Sequence, residues 1–174
     1  MAFEIPKSSD YFYFGFNMQQ DEGTADNNQF DPTIGKFEEW PAHITCSPPT
    51  IDDHSRDSSK LFQVIQEFCV SYPPVVATPV RDAYYGPDGS IPVKVFESSE
   101  LNMLHYAIMG AMVMNNYMPG EHFDPQFAGN NYNPHTSRKV GVRIPQDPIT
   151  LSHLSLFRRL RGNKIIQERY KLGT

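Results

Sequence analysis

The sequence predicts an α+β fold in which two pseudo-symmetric lobes each contain strands and one helix. Apolar residues at every second position are typical of strands, and such segments flank two others with the 3.6-residue period of a helix. The 15 Pro and 11 Gly residues predict many turns and long loops, which argues against a helical bundle. The chain has 174 residues and no segment that resembles a linker, so residues 1–174 are interpreted as one domain.

Two short strands are expected in the first part of the chain. Residues 11–18 alternate, and their even positions form one apolar face: Phe12, Phe14, Phe16 and Met18. The polar segment Gln19–Asp31 is predicted to be a loop. His43–Cys46 is a second β-like run, which Ser47-Pro-Pro49 closes.

Two helices follow from apolar stripes at helical spacing. The first begins after Asp57-Ser-Ser59, which offers an N-cap, and ends at Pro73-Pro74. The second begins after Ser98-Ser99. Its stripe includes a histidine: Leu101, Leu104, His105, Ile108 and Met112. Because His105 lies among apolar residues, we expect it to be a structural histidine with satisfied ring nitrogens.

Two hairpins complete the prediction. Val75–Phe96 contains two β-rich runs around Gly86-Pro-Asp-Gly89, a strong turn signal. Ile149–Phe157 and Lys164–Leu172 are predicted to be two strands joined around Gly162-Asn163.

Composition limits the possible functions. The net charge is −5, which disfavours binding of extended nucleic acid through phosphate charge but allows one nucleotide or one phosphate to bind. Two cysteines exclude a disulfide framework and a four-cysteine zinc site. Both cysteines lie in apolar runs and are expected to be reduced. We find neither a signal-peptide pattern nor a membrane-length apolar segment, so we expect a cytoplasmic protein without a membrane partner.

Three of the six histidines are followed two positions later by Ser or Thr: His43/Thr45, His135/Ser137 and His153/Ser155. On a strand, residues i and i+2 point to the same side, so the imidazole and the hydroxyl project together. An imidazole exchanges a proton near neutral pH, and a hydroxyl donates a hydrogen bond to a phosphate oxygen. Two such pairs facing each other would supply an acid, a base and two phosphate contacts. His54 and His122 lie in polar segments and are expected to be solvated.

The run His43-Ile-Thr-Cys-Ser-Pro-Pro49 resembles the first motif of the 2H phosphoesterase superfamily. This superfamily includes 2′-5′ RNA ligase-like proteins and 2′,3′-cyclic phosphodiesterases, and its pattern is two copies of His-x-Thr/Ser. The resemblance implies a bilobal domain around a central cleft, with one motif on a strand of each lobe.

The second motif has two candidates. His153-Leu-Ser-Leu156 fits the apolar pattern better, whereas His135-Thr-Ser-Arg138 has a polar middle residue. The approach Asn130–Pro134 resembles that of the family, and Pro41-Ala precedes His43 in a related way. We therefore favour His135/Ser137, while His153/Ser155 remains the alternative.

The resemblance implies a metal-independent enzyme, without cofactor, that hydrolyses a 2′,3′-cyclic phosphate at an RNA or nucleotide end. His43 and His135 would be catalytic, and Thr45 and Ser137 would bind the phosphate. The same arrangement run in reverse gives 2′-5′ ligation. A monomer is expected. Two alternatives stay open: a non-catalytic module that binds a nucleotide or RNA end, and a metal hydrolase.

Overall fold

The computed structural model describes residues 3–18, 36–52, 57–138, 144 and 146–173. They form ten strands and two helices, with two short 3₁₀ turns at Pro125–Phe127 and Gly129–Asn131. The strands are β1 (Tyr11–Asn17), β2 (Lys36–Phe37), β3 (His43–Thr45), β4 (Thr50–Ile51), β5 (Val75–Tyr85), β6 (Ile91–Glu97), β7 (His135–Ser137), β8 (Ile149–Leu151), β9 (His153–Leu160) and β10 (Asn163–Lys171). The helices are α1 (Ser59–Ser71) and α2 (Ser99–Met114). The predicted loop Gln19–Asp31 lies entirely outside the described residues.

Two antiparallel sheets organise the chain, as the sequence predicts. The first has the order β2-β10-β9-β1-β3, with β4 also paired to β1. The second has the order β7-β6-β5-β8. Strands β3 and β7 are edge strands of different sheets, and they lie against each other. The α+β class and the two lobes are therefore confirmed.

One predicted strand is wrong. Ile149–Phe157 is not continuous, because it divides at Ser152 between the two sheets. Before the break, Leu151 pairs with Val75 of β5, and after it Ser155 pairs with Gly15 of β1. The chain changes sheets at this residue, and apolar alternation does not reveal which neighbour a strand takes.

The main core is formed by residues of both sheets and both helices. Phe12, Phe14 and Phe16 of β1 are fully buried there, as expected, and so is Met18, which directly follows the strand. Both helices begin within one residue of the predicted starts, at Ser59 and Ser99. The Ser98 side chain caps α2 by accepting from the N–H of Leu101 at 3.1 Å, whereas the side chain of Ser58 makes no such bond at the start of α1. Cys46 and Cys69 are free, buried thiols. No helix among the described residues is long and apolar enough to cross a membrane.

His105 connects three parts of the fold, and its role is structural, as predicted. Its Nδ1 lies 2.6 Å from the carbonyl oxygen of Cys46, which follows β3, and its Nε2 accepts from the N–H of Gly129 at 2.9 Å. The ring stacks on Tyr132 with centroids 4.0 Å apart. The Tyr132 hydroxyl in turn donates to the carbonyl of Thr45 at 2.8 Å. These contacts tie α2 and the 129–132 turn to the first edge strand.

His122 is buried rather than solvated, so that prediction is wrong. Only 4% of it is exposed, and its Nδ1 accepts from the N–H of Met118 at 2.9 Å. The backbone explains this burial. The carbonyl of His122 accepts a hydrogen bond from the N–H of Ile51 at 2.8 Å, so the turn that contains His122 is held against β4. His54 lies outside the described residues.

Gly15 of β1 is predicted to be intolerant of any side chain. A Cβ there would lie 2.7 Å from the carbonyl oxygen of Ile44 and 3.4 Å from the ring of Phe157. We expect Gly15→Ala to lower the free energy of unfolding by about 1–3 kcal/mol, because β1 and β3 must separate. Gly110→Ala is the matched control, since a Cβ in that exposed helical position meets nothing within 4 Å. It should stabilise by about 0.5–1 kcal/mol. Urea titration of both variants measures this, and equal effects would contradict the close-approach argument.

His105 should make folding sensitive to acid. Burial lowers its pKa below the ordinary value of 6.5, with the Cys46 carbonyl partly opposing this. The unfolded chain therefore binds a proton that the folded one resists, so stability present above about pH 6.5 falls as the pH drops below it. Urea titrations at pH 7.5 and 5.5 should show a smaller loss for His105→Gln than for wild type. His153→Gln should also show a smaller loss than wild type, because burial lowers the pKa of His153 in the same direction. An unchanged pH dependence in His105→Gln would refute the argument.

Candidate active site

The first motif lies on edge strand β3. Its register pairs His43 with Asn17 and Thr45 with Gly15. The middle residue, Ile44, is fully buried in the main core. His43 and Thr45 are half-buried on the opposite face of the strand, as the two-residue period requires.

The second motif has the same arrangement on edge strand β7. Val95 pairs with His135, and Val93 pairs with Ser137. The middle residue, Thr136, is 1% exposed, whereas His135 and Ser137 are half-buried. The polar middle residue therefore lies on the face away from His135 and Ser137.

Both histidine rings are oriented in the same way. The Nδ1 of His43 lies 2.7 Å from the carbonyl oxygen of Pro41, and the Nδ1 of His135 lies 2.8 Å from that of Asn133. A carbonyl only accepts, so each Nδ1 carries a hydrogen, and Nε2 is the nitrogen left to gain or lose a proton. In each motif the ring is held by the residue two positions earlier, which fixes its tautomer.

The environments of the two Nε2 atoms differ. The Nε2 of His43 lies 3.3 Å from the hydroxyl of Tyr13. Because Nδ1 is the protonated nitrogen of the neutral ring, the Tyr13 hydroxyl is the donor in this contact. Burial raises the pKa of Tyr13 well above its ordinary value, which keeps the hydroxyl a donor. The Tyr13 ring stacks on Phe157 at 4.7 Å, so its position is fixed by packing. His135 instead meets the ring of Tyr85 edge to face, with centroids 4.8 Å apart.

A cavity of about 390 Å³ joins the two motifs. Its lining includes one residue of each motif, Thr45 of the first and His135 of the second. The remaining walls come from the turn after β3, the end of β5 and the segment before β7: Ser47, Pro48, Pro49, Tyr85, Gln126, Phe127, Asn131, Tyr132 and Asn133. His43 and Ser137 do not line it, but each lies two residues along the strand from a residue that does. Sequence reasoning missed Gln126 and Phe127, for which the only signal was the turn-rich composition before His135.

The alternative second motif has a different setting. His153 and Ser155 lie on β9, in the same sheet as His43, and neither lines the cavity. Ser155 is fully buried, and its hydroxyl has no hydrogen-bond partner among the described residues. His153 accepts or donates at Nδ1 with the Ser152 hydroxyl at 2.8 Å. Only His135/Ser137 supplies a motif from the second sheet.

Within the described residues, no three His, Cys, Asp or Glu side chains lie close enough together to hold a metal ion. Charged side chains near the second motif pair with each other instead: Asp82 contacts Lys94 at 2.9 Å and Arg138 at 3.5 Å. The lysine and arginine together lower the pKa of Asp82, with the Lys94 hydrogen bond the main cause.

The fold is similar to that of solved phosphoesterase structures. The crystal structure of a phosphoesterase superposes with a TM-score of 0.59 at 10% sequence identity, covering 95% of this chain and 99% of that chain. E. coli LigT complexed with 3′-AMP gives the same TM-score, 0.59, at 10% identity, with 95% and 99% covered. LigT complexed with NADP+ gives 0.57 at 12% identity, with 97% and 100% covered.

The sequence itself matches no protein-family model and no curated protein sequence. At identities of 10% and 12%, the likeness establishes architecture and not activity. The chain therefore has the fold of the phosphoesterase and LigT structures to which it is similar.

Proposed function

We propose that this protein is a phosphoesterase that opens a 2′,3′-cyclic phosphate at an RNA or nucleotide end. One observation carries the proposal: two edge strands from different sheets meet at a cavity, and each bears a histidine whose Nδ1 is bonded to a carbonyl. The fold shared with a phosphoesterase and with LigT supports the general chemistry. That LigT was crystallised with 3′-AMP, a nucleotide phosphorylated on the ribose, favours this substrate class.

The two imidazoles carry the proton transfers. One takes a proton from water as the water oxygen bonds to phosphorus. The bond from phosphorus to one ribose oxygen then breaks, and the other imidazole gives that oxygen a proton. Thr45 and Ser137 donate hydrogen bonds to the non-bridging oxygens, where negative charge develops. With the 5′-hydroxyl of a second end in place of water, the same groups join two ends: the 5′-oxygen bonds to phosphorus, the bond from phosphorus to the 3′-oxygen breaks with protonation of that oxygen, and a 2′-5′ phosphodiester remains.

The Tyr13 hydroxyl favours His43 as the proton acceptor of the resting enzyme. It donates to Nε2, so it stabilises the neutral ring that a general base requires. No described residue makes a corresponding hydrogen bond to the Nε2 of His135. His135 is accordingly the group that protonates the leaving ribose oxygen.

A non-catalytic module that binds a nucleotide or RNA end is the second candidate. The polar middle residue Thr136, which departs from the family pattern, favours this candidate. Thr136 is buried on the face away from the proposed catalytic groups, so the departure does not alter the cavity. Turnover of a 2′,3′-cyclic nucleotide, measured with and without EDTA, distinguishes the phosphoesterase from this module and from a metal hydrolase.

The histidine assignment predicts a specific pattern of losses. His43→Ala and His135→Ala should each lower turnover of a 2′,3′-cyclic nucleotide by about 10²–10⁴-fold, because each removes one positioned acid or base. His153→Ala is the matched control and should stay within a few-fold of wild type, since neither His153 nor Ser155 of that motif lines the cavity. Circular dichroism verifies that all three variants are folded. Loss of turnover in His153→Ala, with His135→Ala active, would assign the second motif to β9.

The hydroxyl assignment is tested on the same strands. Thr45→Val and Ser137→Ala should lower kcat by up to about 10²–10³-fold, because each removes one donor to the charged transition state. Thr136→Val, one residue from Ser137 but on the other face, should leave kcat unchanged. Steady-state kinetics on all three variants provides the comparison. A folded Thr136→Val variant as impaired as Ser137→Ala would show that the strand face has been misassigned.

A further inference from the structure

The third His-x-Ser pair, His153/Ser155, has no part in the proposed chemistry, but it lies on the same face of the first sheet as the first motif. Ser155 pairs with Gly15 of β1, and Gly15 pairs with Thr45 of β3. On its other side, Ser155 pairs with Arg169 of β10. Residues directly opposite each other on neighbouring strands share a face of the sheet. One cross-strand row therefore runs over four strands: Arg169, Ser155, Gly15 and Thr45.

The end of this row that is farthest from Thr45 carries positive charge. Lys171 follows Arg169 by two residues on β10, so both side chains lie on the same face, and Lys171 pairs with His153 of β9. Burial is the main cause that lowers the pKa of His153, and the charges of Arg169 and Lys171 lower it further. Lys171 is exposed and makes no ion pair with any described residue. Two cationic side chains thus lie beside Ser155.

No carboxylate in the strands of the first sheet balances this charge. Among the described strands of that sheet, Glu168 is the only acidic residue. It pairs with Leu156, which is buried in the main core, so Glu168 lies on the other face. The whole chain has a net charge of −5, so a cationic face is not what its composition predicts. This face is therefore suited to an anionic ligand.

The row also contains a hydroxyl that lacks a hydrogen bond. Ser155 is fully buried, and its Oγ has no hydrogen-bond partner among the described residues. Buried polar groups are nearly always hydrogen-bonded, because a donor without an acceptor lowers stability. A phosphate oxygen accepts from a hydroxyl and from a guanidinium, and Arg169 is the residue directly opposite Ser155.

Strand spacing separates this end of the row from the reacting phosphate. Neighbouring strands lie about 4.8 Å apart, so the backbones of Thr45 and Ser155 are about 10 Å apart. One phosphate group is too small to contact both hydroxyls at hydrogen-bond distance. Gly15, which lies between them, contributes no side chain to the row. The row therefore offers two separate phosphate contacts with a bare strand between them.

We propose that Arg169, Lys171 and Ser155 bind a second phosphate of the substrate, the one on the 5′-oxygen of the nucleotide whose 2′- and 3′-oxygens carry the cyclic phosphate. The inference rests on the proposed function and narrows its substrate class. The 5′-oxygen and the 2′,3′-oxygens lie at opposite ends of one ribose, which matches a row with one contact at each end. In RNA, this 5′-phosphate is the phosphodiester that joins the last nucleotide to the one before it.

Addition of the second phosphate to the substrate is the first test. Wild-type protein is assayed on adenosine 2′,3′-cyclic phosphate, on its 5′-phosphorylated form, and on the dinucleotide ApA with a terminal 2′,3′-cyclic phosphate. We expect kcat/KM to be about 10-fold higher with the 5′-phosphate, because it gains charge-assisted hydrogen bonds. The same gain with the dinucleotide would identify an RNA end as the substrate. Equal kcat/KM on all three substrates would overturn the subsite and leave the phosphoesterase proposal intact.

Lys171→Gln and Ser155→Ala test the residues. Both should lower the preference for the 5′-phosphorylated substrate and leave kcat/KM on adenosine 2′,3′-cyclic phosphate unchanged. Lys164→Gln is the matched control, because it makes the same charge change on β10 at a lysine whose Nζ donates to the Glu38 carbonyl at 3.3 Å. It should keep the full preference. Full preference in Lys171→Gln or in Ser155→Ala, or equal losses in Lys171→Gln and Lys164→Gln, would refute the site.

A binding measurement separates the subsite from the chemistry. Titration calorimetry with adenosine 3′,5′-bisphosphate and with 3′-AMP needs no turnover, so it reports on the subsite even if the protein hydrolyses no cyclic phosphate. Wild type should bind the bisphosphate about 10-fold more tightly than 3′-AMP, whereas Lys171→Gln should bind the two ligands alike. Equal affinity of wild type for both ligands would overturn the subsite independently of any catalytic result.

Discussion

The two-residue period of β3 and β7 is the constraint on which the candidate site depends. Ile44 and Thr136, the middle residues of the two motifs, are both buried. A strand turns successive side chains to opposite faces, so burial of each middle residue turns His43 and His135 to the other side. A slip of either strand by one residue would bury an imidazole and expose the middle residue. The register that buries the middle residue of each motif therefore also determines on which face of the strand the histidine lies.

The cavity also depends on contacts between parts of the chain that no strand ladder joins. Strands β3 and β7 are edges of different sheets. The link across this boundary is made by Tyr132, whose hydroxyl bonds to β3 and whose ring stacks on His105. His105 must be neutral to accept from the N–H of Gly129 while it donates to the Cys46 carbonyl. The shape of the cavity, which Tyr132 lines, is therefore linked to the protonation state of His105, which does not line it.

The two motifs are alike in geometry and different in surroundings. Each histidine is held through Nδ1 by a carbonyl two residues earlier, which gives both rings the same tautomer. Only His43 has a buried tyrosine hydroxyl beside Nε2, and this tyrosine is itself packed flat on Phe157. The Tyr13 hydroxyl therefore distinguishes the surroundings of His43 from those of His135, whose ring meets that of Tyr85. A shared fold alone does not establish activity, because activity resides in the residues of the site.

The sequence alone determined the local features, because they depend on neighbours along the chain. The alternation of β1, the Ser98 cap of α2 and the pairing of His43 with Thr45 on one strand face were all predictable in this way. Only the tertiary structure decided which second histidine joins the cavity, since His135 and His153 differ in the sheet to which their strands pair. The break at Ser152 and the burial of His122 have the same cause. Both follow from partners distant in sequence, and a periodic pattern contains no information about those partners.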